Sequence, residues 1–346
     1  MSYGKEHGRE TINRRDFLKA GAAGVFLGAA CSGPEKAPAG VIVPSGRLGR
    51  TGMNASILGM GGGSALSMIK DDQEAVALLE LARQKGVNYF DSGDSYGGGK
   101  SEKRMGEALE PHRSSVYFAT KYDVDNDYDK LMKKFEQSLE HFRTDYIDVV
   151  QMHGLSSLDD VEKMFESGAL ETLVKLREQG SARYLGVTSH LHPPALAEAM
   201  RRFDFDVVLM GANASKVPFT FEFEVKGDGS FEDVSLPVAL EKKVGIYAFK
   251  ITGQRRLIAT GNEAGKASGS ELIRYGLSLP AHGIILGMHT REHVESAASL
   301  AASFTPMTDR EMRELNNRLA PSANAAVLDY LRPDYVDNGG YRAHLA

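Results

Sequence analysis

Eight short apolar runs recur along this chain, each followed by a stretch with helical spacing, and that alternation leaves few folds open. The runs are Ser56 to Met60, Val87 to Phe90, Val116 to Thr120, Ile147 to Met152, Tyr184 to Thr188, Asp206 to Met210, Gly245 to Phe249 and Gly283 to Leu286. Helical patterns follow at Asp71 to Lys85, Lys103 to Leu109, Tyr128 to Phe142, Val161 to Gln179, Pro194 to Arg202, Val234 to Lys243, Ser268 to Leu279 and Glu292 to Ala301. Within the third of these, Leu131, Phe135, Leu139 and Phe142 mark one buried helical face. Strand-then-helix units repeated in this way predict a parallel sheet. Eight of them predict closure into a (β/α)8 barrel of the TIM type, an α/β fold. A chain of 346 residues, 42% apolar and 25% charged, has ample core for such a unit.

Two additions interrupt the alternation. Arg47 to Met60 reads as a small hairpin turning at Gly49-Arg50-Thr51-Gly52, ahead of the barrel. After the sixth run, Phe219, Phe221, Phe223 and Val225 alternate with Thr220, Glu222 and Glu224, and Lys226-Gly227-Asp228-Gly229 follows. Period-two alternation beside a glycine turn predicts a β-hairpin there, either a lid with apolar walls or an edge hairpin. The tail after Thr308 reads as one further helix and a polar end.

Polar residues close the second, third and fourth runs. Gly86-Val87-Asn88-Tyr89-Phe90-Asp91 ends at an acid, and Ser92-Gly93-Asp94-Ser95-Tyr96-Gly97 then delivers a tyrosine in a glycine-rich loop. Lys121 follows Ser115 to Thr120 directly, and His153-Gly154 closes Tyr146 to Met152. Singly, each has an ordinary use: Asp91 as a cap or turn former, Lys121 as a solvated cation, His153 as a structural histidine, Tyr96 as loop packing. Jointly, at the carboxyl ends of successive strands, they stand where barrels of this kind carry their active sites.

The constellation resembles the aldo-keto reductase superfamily. Asp91, Tyr96, Lys121 and His153 match the order and approximate spacing of that family's catalytic tetrad, and the likeness runs from about Arg47 to Leu300. It implies a nicotinamide-dependent oxidoreductase that interconverts a carbonyl and an alcohol by hydride transfer. The residue types suit that chemistry. Tyrosine is a weak acid, with a free pKa of roughly 10. A close ammonium favours the phenolate, so Lys121 would tune Tyr96 as general acid and base, and Asp91 would hold Lys121. His153 would position and polarise the substrate oxygen.

The resemblance also implies cofactor contacts at Gly62, Ser189, His190, Asn213, Lys250, Gly253, Gly287, Met288, Thr290 and His293. The chain departs from the family within this set. His190 replaces the amide of a Ser-Asn pair, and Leu209 and Ala212 occupy positions where many relatives carry a glutamine and a nicotinamide-stacking aromatic. The hairpin phenylalanines are candidate substitutes for that ring. Ala248 to Gly253 resembles the strand-end lysine and glycine loop that cradles a pyrophosphate, and a helix start near Glu292 is a natural phosphate site. His293 stands where NADP-preferring relatives often place an arginine, while Ser296 and Ala297 replace a Glu-Asn pair. The family thus implies NADP(H) rather than NAD(H). The expected substrate is a small carbonyl compound or alcohol, with a sugar or polyol in view. Alternatives are a redox isomerase with retained cofactor and a weakly catalytic nucleotide-binding regulatory protein.

Composition excludes other classes. A net charge of −5 provides no basic footprint for nucleic acid. One cysteine, without a CxxC or HExxH pattern, leaves neither a disulfide nor a thiolate metal site.

The amino terminus carries a separate signal. Asn13-Arg14-Arg15-Asp16-Phe17-Leu18-Lys19 resembles a twin-arginine export motif and precedes the apolar, small-residue segment Ala20 to Ala30. That segment is short beside the roughly 20 apolar residues of a transmembrane helix and suits a signal-peptide core. Leu27-Gly28-Ala29-Ala30-Cys31 resembles a lipobox, which would make Cys31 a lipidation site. Cleavage after Ala30 or within Ala37-Pro38-Ala39 is the alternative. The expected organisation is a signal peptide over 1–30, a tether over 31–45, the barrel over 46–307 and a helix and tail over 308–346. The expected location is the bacterial periplasm or cell envelope. The twin-arginine export machinery would be a partner and a lipid the anchor.

Overall fold

The computed structural model describes residues 42–332, apart from 218, 219, 222, 223, 226–228 and 262. The export motif, Cys31, most of the tether and the end of the tail lie outside the described residues. A hairpin of β1 (Ser45–Arg47) and β2 (Asn54–Ser56) comes first, paired from Ser45 with Ser56 to Arg47 with Asn54. Eight parallel strands then close in sequence order into a barrel. They are β3 (Leu58–Gly61), β4 (Tyr89–Asp91), β5 (Tyr117–Asp123), β6 (Ile147–His153), β7 (Ala182–Ser189), β8 (Val207–Met210), β11 (Gly245–Ala248) and β12 (Gly283–Leu286). All eight expected strands are present, and the fold is the (β/α)8 barrel read from the alternation.

The barrel's interior and its outer layer are separate cores. Alternation along each strand sends Tyr89, Ala119, Val149, Val207, Leu209, Tyr247 and Ile285 inward. Phe90, Phe118, Val150 and Val208 point outward, beneath the helices. The first hairpin plugs the amino-terminal mouth with Leu48, Met53 and Ala55, which pack into the interior set. Three tyrosines tie it there. The Tyr184 and Tyr117 hydroxyls accept from Gly52 N and Asn54 N, and the Tyr247 hydroxyl donates to Ser56 O at 2.7 Å. Plugging that end leaves the carboxyl-terminal mouth as the open face.

The surrounding helices are α1 (Ser64–Ser67), α2 (Asp72–Gln84), α3 (Lys100–Leu109), α4 (Tyr128–Phe142), α5 (Leu158–Glu166), α6 (Ala169–Glu178), α7 (Pro193–Arg202), α8 (Phe231–Glu241), α9 (Gly269–Ser278), α10 (Arg291–Ala302) and α11 (Asp309–Leu319). The expected helix from Val161 to Gln179 is two helices. Gly168, at φ +83°, takes a left-handed turn that side-chain-bearing residues avoid. The Ser167 hydroxyl accepts from Ala169 N at 3.1 Å and donates to Val124 O at 2.7 Å. The insertion is a hairpin of β9 (Thr220–Phe221) and β10 (Glu224–Val225), with Phe221 paired to Glu224. The segment Lys226-Gly227-Asp228 lies outside the described residues. Helix α11 buries Met312, Leu315 and Leu319 in the outer core, so the tail helix packs with the barrel.

Candidate active site

Strand register and pleat together build the site. In the ladder, Asp91 pairs with Ala119, Lys121 with Gln151, and Asp123 with His153. Positions 89 and 91, 117 to 121 in steps of two, and 149 to 153 in steps of two share the inward face. Asp91, Lys121 and His153 thus converge at the open mouth because each sits at even spacing beyond an inward apolar residue. Tyr96 arrives by another route, on the loop between β4 and α3. There Gly97, Gly98 and Gly99 hold φ of +60°, +66° and +86°, a left-handed path closed to ordinary side chains. Gly99 N and Ser101 N both donate back to the Tyr96 carbonyl, and Ser92 Oγ donates to Ser101 Oγ at 2.8 Å, which fixes the loop.

Burial of the group is nearly complete. Lys121 is 1%, Asp91 5% and Tyr96 5% exposed. The Lys121 ammonium lies 2.7 Å from Asp91 Oδ2 and also donates to the Ser92 carbonyl. Gln151 Nε2 donates to Asp91 Oδ1 at 3.0 Å, so both carboxylate oxygens are held. Lys121 Nζ stands 4.9 Å from the centre of the Tyr96 ring. The His153 ring meets the Tyr96 ring edge-on at 5.9 Å. Its Nδ1 is 3.4 Å from Asp123 Oδ1. That contact holds the Asp123 carboxyl below its usual range, against the opposing effect of burial.

A cleft of about 460 Å³ leads away from Tyr96 across the mouth. Its near end is walled by Leu209, Phe249 and Ile285, and its far end by Arg255, His289, His293 and Ser296. Phe249 supplies an aromatic wall, with its ring 4.6 Å from that of His190. Lys250 also lines the cleft, its ammonium 5.7 Å from the Phe249 ring and 5.4 Å from that of Tyr330. The loop it opens is strained: Lys250, Gln254 and Arg255 adopt φ of +60°, +54° and +75°. Such backbone persists where packing enforces it, often beside ligand sites. At the far end an Arg255 guanidinium nitrogen is 3.5 Å from His289 Nε2, and the His289 and His293 rings are 4.6 Å apart. Burial first, then the charges of His293 and Arg255, keep His289 below the ordinary imidazole range.

Of the expected cofactor residues, Lys250, Gly287, Met288 and His293 line this cleft. The other six have employment within the protein. Ser189 Oγ donates to Leu155 O at 2.6 Å and accepts from His192 N at 3.1 Å. Asn213 spends its amide on Tyr330 Oη at 2.8 Å and its oxygen on Ser215. Thr290 caps α10 by accepting from His293 N at 3.2 Å. Gly253 packs against Leu257 and Leu328, Gly62 donates to Asp91 O, and His190 is buried between His153 and Phe249. Five residues of the site are not singled out by the sequence: Asp123, Gln151, Phe249, Arg255 and His289. Gln151 and Asp123 had a legible signal, since they share the inward parity of His153 and Lys121. Arg255 and His289 come together only through the tertiary fold.

Comparison with known proteins accords with this arrangement. The model described as the Aldo/keto reductase family matches residues 57–219. L-galactose dehydrogenase of Arabidopsis thaliana is 34% identical over 154 residues, covering 41% of this chain and 47% of that protein. D-threo-aldose 1-dehydrogenase of a Pseudomonas species is 27% identical over 248 residues, covering 63% and 68% respectively. The match spans about half the length of several such relatives, for example 47% and 54%. Among solved structures, an aldo-keto reductase from Bacillus halodurans in its holo form superposes with a TM-score of 0.65 at 20% identity, covering 86% of this chain and 100% of that one. An aldo-keto reductase from Klebsiella pneumoniae in complex with NADPH gives 0.64 at 18% identity, covering 83% and 99%. At these identities the structural likeness speaks for the fold.

Proposed function

We propose, from the premise that the chain belongs to the aldo/keto reductase family, that it interconverts a carbonyl and an alcohol with a nicotinamide cofactor held in the cleft. The observation that carries the reading is the convergence of Asp91, Tyr96, Lys121 and His153, with Asp91 and Tyr96 lining a cleft that Arg255, His289 and His293 also line. That donor set fits a dinucleotide. Leu209, Phe249 and Ile285 offer apolar walls, Lys250 lines the same cleft, and the start of α10 presents backbone N–H groups. Bound there, the cofactor supplies the hydride in reduction and accepts it in oxidation.

The chain's own residues handle the proton. Lys121, fixed by Asp91 and the Ser92 carbonyl, holds a positive charge against the Tyr96 ring and favours its phenolate. Tyr96 then gives its proton to the substrate oxygen in reduction and takes it back in oxidation. His153, across the mouth from Tyr96, supports the same oxygen. Gln151 completes the hold on Asp91 and so on Lys121. Positioned groups of this type contribute by being in place before charge develops.

Finer readings extend this proposal. Arg255, His289 and His293 at the far end favour the extra phosphate of NADP(H) over NAD(H). The carboxylate of Asp123 beside the mouth favours neutral substrates over anionic ones, and sugar-derived aldehydes and alcohols fit that preference. Arg14-Arg15 and Cys31 support export to the envelope and lipid anchoring. Among the described residues no helix is long and apolar enough to cross a membrane. The test is to identify any nucleotide that copurifies, titrate NADPH and NADH by fluorescence, and follow cofactor oxidation across a panel of aldehydes and aldoses. Failure of either nucleotide to bind, or binding without turnover on any carbonyl, overturns the reading.

A further inference from the structure

The loop that carries Tyr96 is gripped from behind by a polar stripe of α4. Lys134, Ser138 and His141 follow one another at helical spacing, beside Leu131, Phe135 and Phe142, which enter the outer core. Lys134 Nζ holds Asp94 Oδ2 at 2.6 Å, two residues before Tyr96. Ser138 and His141 hold Glu102, in the first turn of α3 and beyond the three left-handed glycines. The His141 ring also fills the space beneath Gly99, where a Cβ would stand 2.6 Å from ring Cε1. The stripe thus reaches the chain on both sides of the tyrosine.

Glu102 is the centre of the grip. It is 1% exposed, and both its oxygens are engaged. Oε1 accepts from Thr120 Oγ1 at 2.5 Å and from Ser138 Oγ at 2.9 Å, and Oε2 faces His141 Nδ1 at 3.1 Å. An apolar side chain would fill this space without the cost of burying a carboxylate, but it would not fix three polar partners in place. Thr120 immediately precedes Lys121 on β5 and takes the opposite face of the strand. Glu102 therefore ties the start of α3 to the strand position next to the Lys121 ammonium.

On the reading of Tyr96 and Lys121 given above, we propose that Glu102 is a positioning residue for proton transfer, which holds the Tyr96 ring at its distance from the Lys121 ammonium by locking the far side of the loop to β5 and α4. The near side needs no such lock. There the backbone itself pairs with β5, Ser92 N donating to Ala119 O at 2.8 Å and Asp94 N to Lys121 O at 3.3 Å. After Tyr96 come Gly97, Gly98 and Gly99, the residues with the widest backbone freedom. Glu102 restores on that side the connection to β5 that the glycines leave loose.

The test places 3-fluorotyrosine throughout the cofactor-free protein and reads the 19F NMR line of Tyr96, assigned with Tyr96→Phe. Glu102→Leu should shift or broaden that line while the lines of Tyr89 and Tyr247, inside the barrel, stay in place. With NADPH and a small aldehyde its kcat should fall about tenfold to a hundredfold, with KM and the NADPH Kd within about twofold, since misplacing a reacting group by an ångström acts on the chemical step. Glu102→Gln still accepts from Thr120 and Ser138 and should retain most of both properties. Thr120→Val cuts the link to β5 alone, keeps the volume, and decides the question should Glu102→Leu not fold. A parental Tyr96 line or a parental kcat in folded Glu102→Leu, or in Thr120→Val in its place, overturns the proposal, and so does a loss in Glu102→Gln as deep as in Glu102→Leu. Any of these results beside an inactive Tyr96→Phe leaves the reading of Tyr96 intact, whereas an active Tyr96→Phe removes the premise of both.

Discussion

Lys121→Met strands a carboxylate. Asp91 keeps only the Gln151 amide, in a site where its side chain is 6% exposed and that of Lys121 is 1%. Those exposures put the pair with buried ion pairs, for which loss of one partner costs about 3–5 kcal/mol, and not with surface pairs worth about 0–1 kcal/mol. Against the roughly 5–15 kcal/mol that holds a folded domain together, this is a large fraction. Adding Asp91→Asn removes the stranded charge, since the amide oxygen still accepts from Gln151. The double variant should recover most of the loss and sit within about 1–2 kcal/mol of the parent, as replaced buried pairs commonly do. Urea unfolding followed by far-UV circular dichroism measures both, and cofactor oxidation measures turnover. Turnover should stay lost in the recovered double variant, as the proposed tuning of Tyr96 by the Lys121 ammonium requires. A single variant costing under about 1 kcal/mol, or a double variant as unstable as the single, refutes the reasoning.

Four further outcomes are expected. Burial depresses His282, whose Nε2 lies 2.9 Å from Ala55 O, so the folded protein keeps it neutral while the unfolded chain titrates normally. Its contribution is therefore present above about pH 6.5 and lost as pH falls from there towards the depressed folded value; His282→Gln should flatten the pH dependence of unfolding in that window. Arg255→Ala should weaken NADPH binding about tenfold or more while leaving NADH within about twofold, read by fluorescence titration. Replacing Arg14 and Arg15 by lysine should hold the protein in the cytoplasm, and Cys31→Ala should abolish fatty-acid labelling, both read by fractionation.

Strands and the four clustered residues were legible because both depend on local order. An apolar run ended by a polar side chain marks a barrel strand, and parity along it says whether Asp91, Lys121 or His153 faces inward. Boundaries that rest on one residue were harder: the split at Ser167-Gly168 needed the Ser167 hydroxyl to find Val124 across the fold. The hairpin of the insertion was legible because period-two alternation is local. Ser189 and Asn213 have partners inside the fold, Leu155, His192 and Tyr330, and the contacts to Leu155 and Tyr330 join residues far apart in the chain, so no local pattern announces them. Phe249, just after β11, gives the cleft an aromatic wall, while Phe219 and Phe223 of the insertion lie outside the described residues.

Turnover of Tyr96→Phe on a carbonyl substrate tests the central claim most directly. The ring is buried against Lys121 and His153, and loss of one hydroxyl leaves that packing in place. The variant should fold and bind NADPH like the parent, while turnover falls by about 10²–10⁴, the usual contribution of a positioned acid. Near-normal turnover with cofactor bound would contradict the account, because the proton would then come from a group other than Tyr96.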